Sequence, residues 1–219
     1  MPGNFQDDDR EDTMRELFNL YKDEEEGRSG IDAFLDIDTK TLPFELKTTS
    51  NGSVTTVRDF GPDHITKWKN KHWLIGFFIN GVEYYKYVSP LAMSEWIAEK
   101  EKYISPDFSL AEIASVKLRL IDLYKIVGKK KKYTLEDART LHKKQYTKKE
   151  YLALQDVENG YSPAKMLNIL KDRARYLIER GSTLNNPHIP LSYFEDIPKI
   201  TKNHAVALRE EVQEYLDSL

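Results

Sequence analysis

Residues Trp73–Ile79 (WLIGFFI) form an almost wholly apolar run, and this run limits the possible folds more than any other part of the sequence. Because side chains alternate between the two faces of a strand, a strand without polar positions must be covered on both faces. Asn80-Gly81 follows directly and predicts a tight hairpin that returns the chain into VEYYKYV. The run therefore predicts a central buried strand with an antiparallel neighbour.

Two more strands and several helices are predicted around this hairpin. Residues 31–38 (IDAFLDID) alternate strictly, and residues 42–50 (LPFELKTTS) form a second strand-like run. The spacing of apolar residues predicts a leading helix over Thr13–Lys22 and a short helix over Asp63–Lys71. From Ser89 onward the pattern is helical, and Ser105-Pro106 is expected to open a new helix. The sequence thus predicts an α/β fold: a central mixed β-sheet of about four or five strands flanked by helices, with a helical C-terminal half.

Composition excludes several classes of protein. The 219 residues contain no cysteine, which rules out disulfides, thiolate zinc sites and cysteine nucleophiles, and which suits a reducing cytoplasm. No apolar run approaches the roughly 18 residues that cross a bilayer, and the acidic start MPGNFQDDDRED lacks a secretory stretch. No Gly-rich phosphate loop is present, so we expect neither ATP nor NAD as a cofactor. We therefore expect a cytoplasmic protein with no membrane partner.

The first predicted hairpin gathers charged side chains on one face of the sheet. If the turn pairs Asp38 with Thr41, Asp32 lies opposite Lys47, and residues directly opposite each other in an antiparallel pair share a face. Several acids and one lysine on a single face are costly unless a cation balances them. The residues expected on that face are Asp32, Asp36, Glu45 and Lys47.

A divalent cation would suit this cluster. Carboxylate oxygens are the ligands that Mg²⁺ prefers, and Mg²⁺ usually takes only one or two of them. A metal at this point would polarise a phosphoryl oxygen, stabilise charge on the leaving oxygen and lower the pKa of a bound water. Lys47 could then orient the attacking water or neutralise charge on the phosphate. The candidate metal ligands are Asp32, Glu45 and Asp36. Either Asp32 or Asp36 can be the first acid of the site. Asp32 is favoured because it follows Gly30 at the start of its strand.

These residues resemble a known family. Asp32, followed on the next strand by Glu45-Leu46-Lys47, resembles the PD-(D/E)XK nuclease superfamily, particularly type II restriction endonucleases. The likeness covers about Arg28–Val88, and the leading helix also fits it. It departs from the common pattern where Ile31, rather than proline, precedes the first acid. The resemblance implies catalysis by Asp32, Glu45 and Lys47, with Mg²⁺ (or Mn²⁺ in its place) as cofactor, in a homodimer that cuts double-stranded DNA.

The triplet alone has a second interpretation. On the triplet alone, the favoured interpretation is that Glu45 and Lys47 form a solvent-facing row of an amphipathic strand. Another acid-any-lysine triplet, Asp38-Thr39-Lys40, is expected to be only a polar turn. The acidic partner strand, the leading helix and the apolar strand that follows favour the nuclease interpretation.

Other polar residues are candidates for contact with DNA phosphates. For the threonines among them, a role as ordinary β-formers is an equal alternative. For the lysines, which belong to the run Lys129–Lys132, a solvated loop is equally favoured. The candidates are Thr48, Thr49, Ser50, Arg58, His64, Lys130 and Lys131.

The sequence therefore predicts a type II restriction endonuclease that hydrolyses DNA at a specific sequence. Residues 1–105 would form the catalytic nuclease core, and residues 106–219 a helical region for DNA contact, dimerisation or both, joined to the core in one compact domain. Two alternatives remain open: a repair, phage or junction-resolving nuclease of the same fold, and a catalytically inactive DNA-binding or scaffold protein.

Overall fold

The computed structural model describes residues 6–23 and 30–219 of the chain. These residues form two compact units. Unit 1 consists of Met1–Glu101 together with Leu184–Leu219, and unit 2 consists of Lys102–Thr183. The unit that contains the sheet is therefore built from both ends of the chain, whereas the sequence placed its single division at residue 105.

Unit 1 contains a four-stranded mixed sheet and a separate pair of short strands. Its elements in chain order are α1 (Gln6–Phe18), β1 (Ala33–Ile37), β2 (Lys40–Thr49), β3 (Ser53–Thr55), α2 (Pro62–Trp68), β4 (His72–Ile79), β5 (Val82–Val88), the first part of α3 (Pro90–Lys117), β6 (His188–Pro190), a 3₁₀-helix (Leu191–Phe194) and α8 (His204–Asp217). The strands of the large sheet lie in the order β1–β2–β4–β5, where β2 and β4 are parallel and the outer pairs are antiparallel. The predicted α/β fold with a mixed sheet and a helical C-terminal half is confirmed.

The β1–β2 hairpin has a different register from the one predicted. Ile37 pairs with Lys40, and Asp36 pairs with Thr41, so the predicted pairing of Asp38 with Thr41 is wrong by two residues. Asp38 instead lies in a two-residue turn with a φ of 51°, a left-handed conformation that aspartate tolerates better than most residues. A shift of two residues leaves each side chain on its expected face, because the side-chain period of a strand is two.

Both faces of β4 are covered, as the apolar run predicts. Trp73 meets Trp68 of α2 edge to face, with ring centroids 4.8 Å apart. On the opposite face, a Cβ atom at Gly76 would lie 3.1 Å from Phe78 and Tyr85, so glycine lets these side chains approach the strand closely. The core on this second face includes Met14, Phe18, Ala33, Leu35, Phe44, Leu46, Leu74, Leu208 and Val212, which come from α1, β1, β2, β4 and α8.

The last part of the chain completes unit 1. β6 pairs with β3 through Val54 and Ile189, and Ile200 forms a bridge with Tyr85 of β5. Helix α8 packs on α1, and the guanidinium of Arg209 donates hydrogen bonds to the carbonyl oxygens at the end of α1. β6 lies in a segment that contains Pro187 and Pro190, and its pairing with β3 makes this segment a strand.

Unit 2 is helical. It contains the rest of α3, α4 (Leu120–Val127), α5 (Leu135–Leu141), α6 (Lys148–Ala153) and α7 (Pro163–Ser182). Thr134, Thr147 and Ser162 begin three of these helices, and the side-chain oxygen of each accepts a hydrogen bond from the third following backbone amide. The core of the unit consists of Leu123, Tyr133, Ala138, Tyr151, Tyr161, Met166, Ile169 and Leu170.

Helix α3 does not begin anew at Ser105-Pro106, as the sequence predicts, but contains Pro106 in its interior. Pro106 has no amide hydrogen to donate to the carbonyl four residues earlier, and the helix continues through this position. Across the described parts of the chain, no helix has the combination of length and apolar character needed to cross a bilayer.

Candidate active site

Strand β2 carries Glu45 and Lys47 on the face of the sheet that α2 covers. Phe44 and Leu46, which alternate with them, are fully buried in the opposite core. Glu45 pairs in register with Trp73 and Lys47 with Ile75 of the parallel strand β4, so both polar side chains have buried apolar neighbours. Only 5% of Glu45 is exposed, so it cannot belong to a solvated row of an amphipathic strand.

Three oxygen atoms surround the ammonium group of Lys47. Its Nζ lies 2.8 Å from Glu45 Oε1, 2.9 Å from the Leu46 carbonyl oxygen and 3.7 Å from Asp32 Oδ2. Asp32, Glu45 and Lys47, the three candidate catalytic residues, are thus brought together at one point. Lys47 remains partly accessible, with 16% of its side chain exposed.

Asp32 is held in this cluster from several directions. Its Oδ2 accepts a hydrogen bond from the Leu46 amide at 3.0 Å, which attaches the start of β1 to β2. Its carbonyl oxygen accepts a hydrogen bond from Arg15 of α1 at 3.0 Å. Two residues earlier, the Gly30 carbonyl accepts a bond from Lys67 of α2 at 2.5 Å. Cations on two helices therefore fix the segment that carries the acid.

A second lysine, which sequence reasoning missed, contacts Glu45 from the other side. Lys71 Nζ lies 2.6 Å from Glu45 Oε2, and only 2% of Lys71 is exposed. Lys71 immediately precedes β4, and the parallel pairing of β4 with β2 brings it beside Glu45. No local motif marks this residue; only its place before the most apolar strand of the sheet could have drawn attention to it.

The charges in the cluster stabilise one another. Burial raises the pKa of the Glu45 carboxyl, but the charges and hydrogen bonds of Lys47 and Lys71 outweigh burial and lower this pKa to about 2. Burial lowers the pKa of the Lys47 ammonium, but the carboxylates of Glu45 and Asp32 outweigh burial and hold it above its ordinary value. At neutral pH, Glu45 is therefore ionised and Lys47 is protonated.

The oxygen atoms of this cluster suit a hard divalent cation. Over residues 6–23 and 30–219, no group of three or more histidine, cysteine, aspartate or glutamate side chains is arranged to hold a metal ion. Mg²⁺ needs fewer, because it keeps several waters and takes one or two carboxylates. Here two carboxylates and one carbonyl oxygen already face a single cation, the Lys47 ammonium, which marks the point where a metal would find hard ligands. Asp32, Glu45 and the Leu46 carbonyl are the groups that would hold it.

Asp36, the third candidate ligand, is not part of the cluster. It lies opposite Thr41 near the turn of the hairpin, four residues along β2 from Glu45. Its Oδ1 accepts hydrogen bonds from the Thr41 hydroxyl at 2.7 Å and the Tyr21 hydroxyl at 3.0 Å. The geometry therefore favours Asp32 over Asp36 as the acid that accompanies Glu45.

The candidate DNA-contacting residues of unit 1 have diverse surroundings. The Thr49 hydroxyl is buried and donates to the Ser53 carbonyl oxygen at 2.6 Å, so it serves the turn after β2. Thr48 is half-buried, while Ser50 and Arg58 are exposed and accessible to a ligand.

His64 lies on α2, and its ring packs against Phe60 and Trp68. Burial and then Lys67 lower its pKa, while the Glu45 carboxylate acts in the opposite sense. The lowered pKa disfavours the cationic form of the His64 ring, which argues against an ionic contact with a phosphate.

The two candidate lysines of the basic run belong to unit 2. Lys130 forms an ion pair with Asp137 of α5, with its Nζ 2.8 Å from Oδ1, whereas Lys131 is exposed. The pair with Asp137 gives Lys130 a structural role at the start of α5, and Lys131 is the one that stays available for a phosphate.

Comparison with known proteins adds no relative: no family model and no curated protein matches the chain.

Proposed function

We propose that this chain is a cytoplasmic, Mg²⁺-dependent DNA endonuclease of the type II restriction class. The observation that carries the proposal is the convergence of Asp32, Glu45 and the Leu46 carbonyl on the Lys47 ammonium. Two acids and a lysine at one point are the minimal set for hydrolysis of a phosphodiester, and the side chains of Asp32 and Lys47 are partly exposed.

Asp32 and Glu45 would provide the negatively charged ligands of a divalent cation at this point. Such a cation would polarise the phosphoryl oxygen and stabilise the leaving oxygen. Lys47, protonated and partly accessible, can hydrogen bond to a non-bridging phosphate oxygen and stabilise the charge that develops there. In the overall reaction, a water oxygen bonds to phosphorus, the bond from phosphorus to the 3′ oxygen breaks, and the leaving oxygen takes a proton. The products are a 5′-phosphate and a 3′-hydroxyl.

The side-chain charges of the cluster sum to zero, and this sum supports a phosphate substrate once a divalent cation is added. Asp32 and Glu45 carry two negative charges, and Lys47 and Lys71 carry two positive charges. Addition of a divalent cation would make the cluster cationic, which favours the approach of a phosphodiester anion. Because a site of this kind cuts one strand, we further propose that two copies act together as a homodimer on double-stranded DNA.

The direct test is incubation of the purified protein with phage DNA and Mg²⁺, followed by gel electrophoresis. Discrete fragments that disappear with EDTA would support restriction, and a smear would support a nuclease without sequence preference. Intact DNA that is retained in a binding assay would support the inactive DNA-binding alternative and overturn the proposal.

Two variants of the cluster test the assigned roles, and an exposed pair of the same residue types provides matched controls. Glu45→Gln and Lys47→Met should each lower cleavage by at least about 10²-fold, because each removes a transition-state contact. Glu101 and Lys69 form an exposed pair of the same residue types, with side chains 45% and 52% exposed. Glu101→Gln and Lys69→Met should cleave at the wild-type rate.

A further inference from the structure

The side chain of Lys71 is charged and yet almost completely buried. Lys71 lies between the end of α2 and the start of β4, and its backbone amide donates to the Trp68 carbonyl oxygen at 3.2 Å. Its side chain is 3% exposed, far less than the 16% of Lys47. A lysine is almost never buried to this extent unless it is paired, because removal of the charge from water is costly. The partner here is Glu45.

Each of the two lysines contacts a different carboxylate oxygen of Glu45. Oε2 faces Lys71 at 2.6 Å, and Oε1 faces Lys47 at 2.8 Å. Oε1 therefore points to the oxygen cluster that also contains Asp32, while Oε2 points away from it. The ion pair with Lys71 fixes both the position of the carboxylate and the oxygen that it presents to the site.

The contact between Lys47 and Glu45 must change when Lys47 acts on a substrate. The Lys47 ammonium must move away from Glu45 Oε1 if it is to bind a phosphate, or if a divalent cation is to bind the same oxygen atoms. A carboxylate that is only 5% exposed would then lose one of its two ammonium partners. The Lys71 side chain is only 3% exposed, so it is not accessible to a substrate in the same way.

We propose that Lys71 is a positioning residue that holds Glu45 toward the metal site while Lys47 is free to engage the phosphate. The proposal rests on the proposed nuclease function. It assigns the two lysines different roles: Lys47 contacts the substrate, and Lys71 acts through Glu45 alone.

The first test measures Mg²⁺ affinity by isothermal titration calorimetry on the full chain, without DNA. Lys71→Met should weaken Mg²⁺ binding by about 10- to 100-fold, the usual effect of removing a group that orients a metal ligand. Lys71→Arg, which keeps the charge and can still donate to Oε2, should restore most of the affinity. Lys69→Met, two residues away and exposed, is the control and should bind as the wild type does. Unchanged or tighter binding by Lys71→Met would overturn the proposal, because loss of a positive charge alone can only favour a cation.

The second test needs no metal, and it separates failure of this proposal from failure of the proposed function. In EDTA, Lys71→Met should lower the folding equilibrium constant on the order of 10²- to 10³-fold, because it leaves the Glu45 charge with one partner fewer. In a Glu45→Gln background the same change should cost less than about 10-fold, since no carboxylate remains to be held. The double variant carries two neutral side chains, so it should fold even if Lys71→Met does not. Equal costs in both backgrounds would show that Lys71 does not act through Glu45. A wild-type protein that neither binds Mg²⁺ nor cuts DNA would overturn the nuclease function, while the folding cycle would still decide whether Lys71 holds Glu45.

Discussion

The pairing of Glu45 with two lysines leads to a quantitative prediction about acid stability. In the folded protein the pKa of Glu45 is lowered from 4.5 to about 2, because the attraction of Lys47 and Lys71 exceeds the effect of burial. A carboxyl group whose pKa is lower in the folded state stabilises the fold above its unfolded pKa. That contribution disappears as the pH falls toward the folded pKa. The relevant window is therefore about pH 4.5 down to about pH 2.

The size of the effect follows from the pKa difference. A shift from 4.5 to about 2 corresponds to about 3 kcal/mol in the free energy of unfolding at neutral pH. At about pH 3 the carboxyl group is mostly protonated in the unfolded chain and mostly ionised in the folded one, so about 2 kcal/mol of this contribution is lost. Glu45→Gln cannot titrate. It should be about 3 kcal/mol less stable than wild type at neutral pH and only about 1 kcal/mol less stable at about pH 3.

Urea unfolding followed by tryptophan fluorescence provides the measurement. The chain has three tryptophans, Trp68, Trp73 and Trp96, and all of them lie in unit 1, so their emission reports on the unit that contains Glu45. The difference in free energy of unfolding between wild type and Glu45→Gln is recorded from neutral pH to about pH 3 in EDTA. Subtraction of the two curves removes the contributions of the acids that share no partner with Glu45.

Glu101→Gln is the control for this experiment. Glu101 pairs with Lys69 at the surface, where such pairs contribute about 0–1 kcal/mol, so the variant should follow the wild-type curve. A constant difference between wild type and Glu45→Gln across the window would refute the argument. It would mean that the two lysines do not hold the carboxylate in its ionised form.

Three further predictions test other parts of the structure. Asp36→Asn should cleave DNA within about 3-fold of wild type, while Asp32→Asn should lose at least about 10²-fold in a Mg²⁺-dependent cleavage assay, since only Asp32 lies beside Glu45. Thr49→Val should cost about 1 kcal/mol in urea unfolding, because the hydroxyl bonds to the turn after β2, and DNA affinity measured by fluorescence anisotropy should not change. Gly160→Ala places a Cβ atom 2.5 Å from a backbone carbonyl oxygen of unit 2 and should lower the free energy of unfolding by about 1–3 kcal/mol, visible as a lower melting temperature by circular dichroism.

The alternation of residues along β1 and β2 was enough to predict which side chains share a face. Period-two patterns report the face of each residue but not its partner, and a shift of two residues changes every partner without changing a face. The turn at Asp38 set the actual register, in which Ala33 pairs with Phe44, and Asp32 Oδ2 lies 3.7 Å from the Lys47 ammonium. The set Asp32, Glu45 and Lys47 was therefore predictable, while the exclusion of Asp36 from it was not.

Alternation patterns do not predict contacts between residues that are distant in the sequence. Lys71 contacts Glu45 because β4 lies parallel to β2, and the residues around Lys71 do not predict that pairing. β6 is similar, because three residues bounded by prolines resemble a loop until β3 provides their partner. Local propensity predicts elements, and tertiary pairing decides which of their side chains meet.

Unit 1 is assembled from two stretches of chain that are separated by the whole of unit 2. During synthesis, β1–β5 are therefore complete well before β6 and α8 exist. Until then the sheet face that receives Leu208 and Val212 lacks its cover, and an open apolar face invites association with other chains. Completion of the core behind β2 therefore depends on closure of a long stretch of chain, which carries a larger entropic cost than formation of the β1–β2 hairpin.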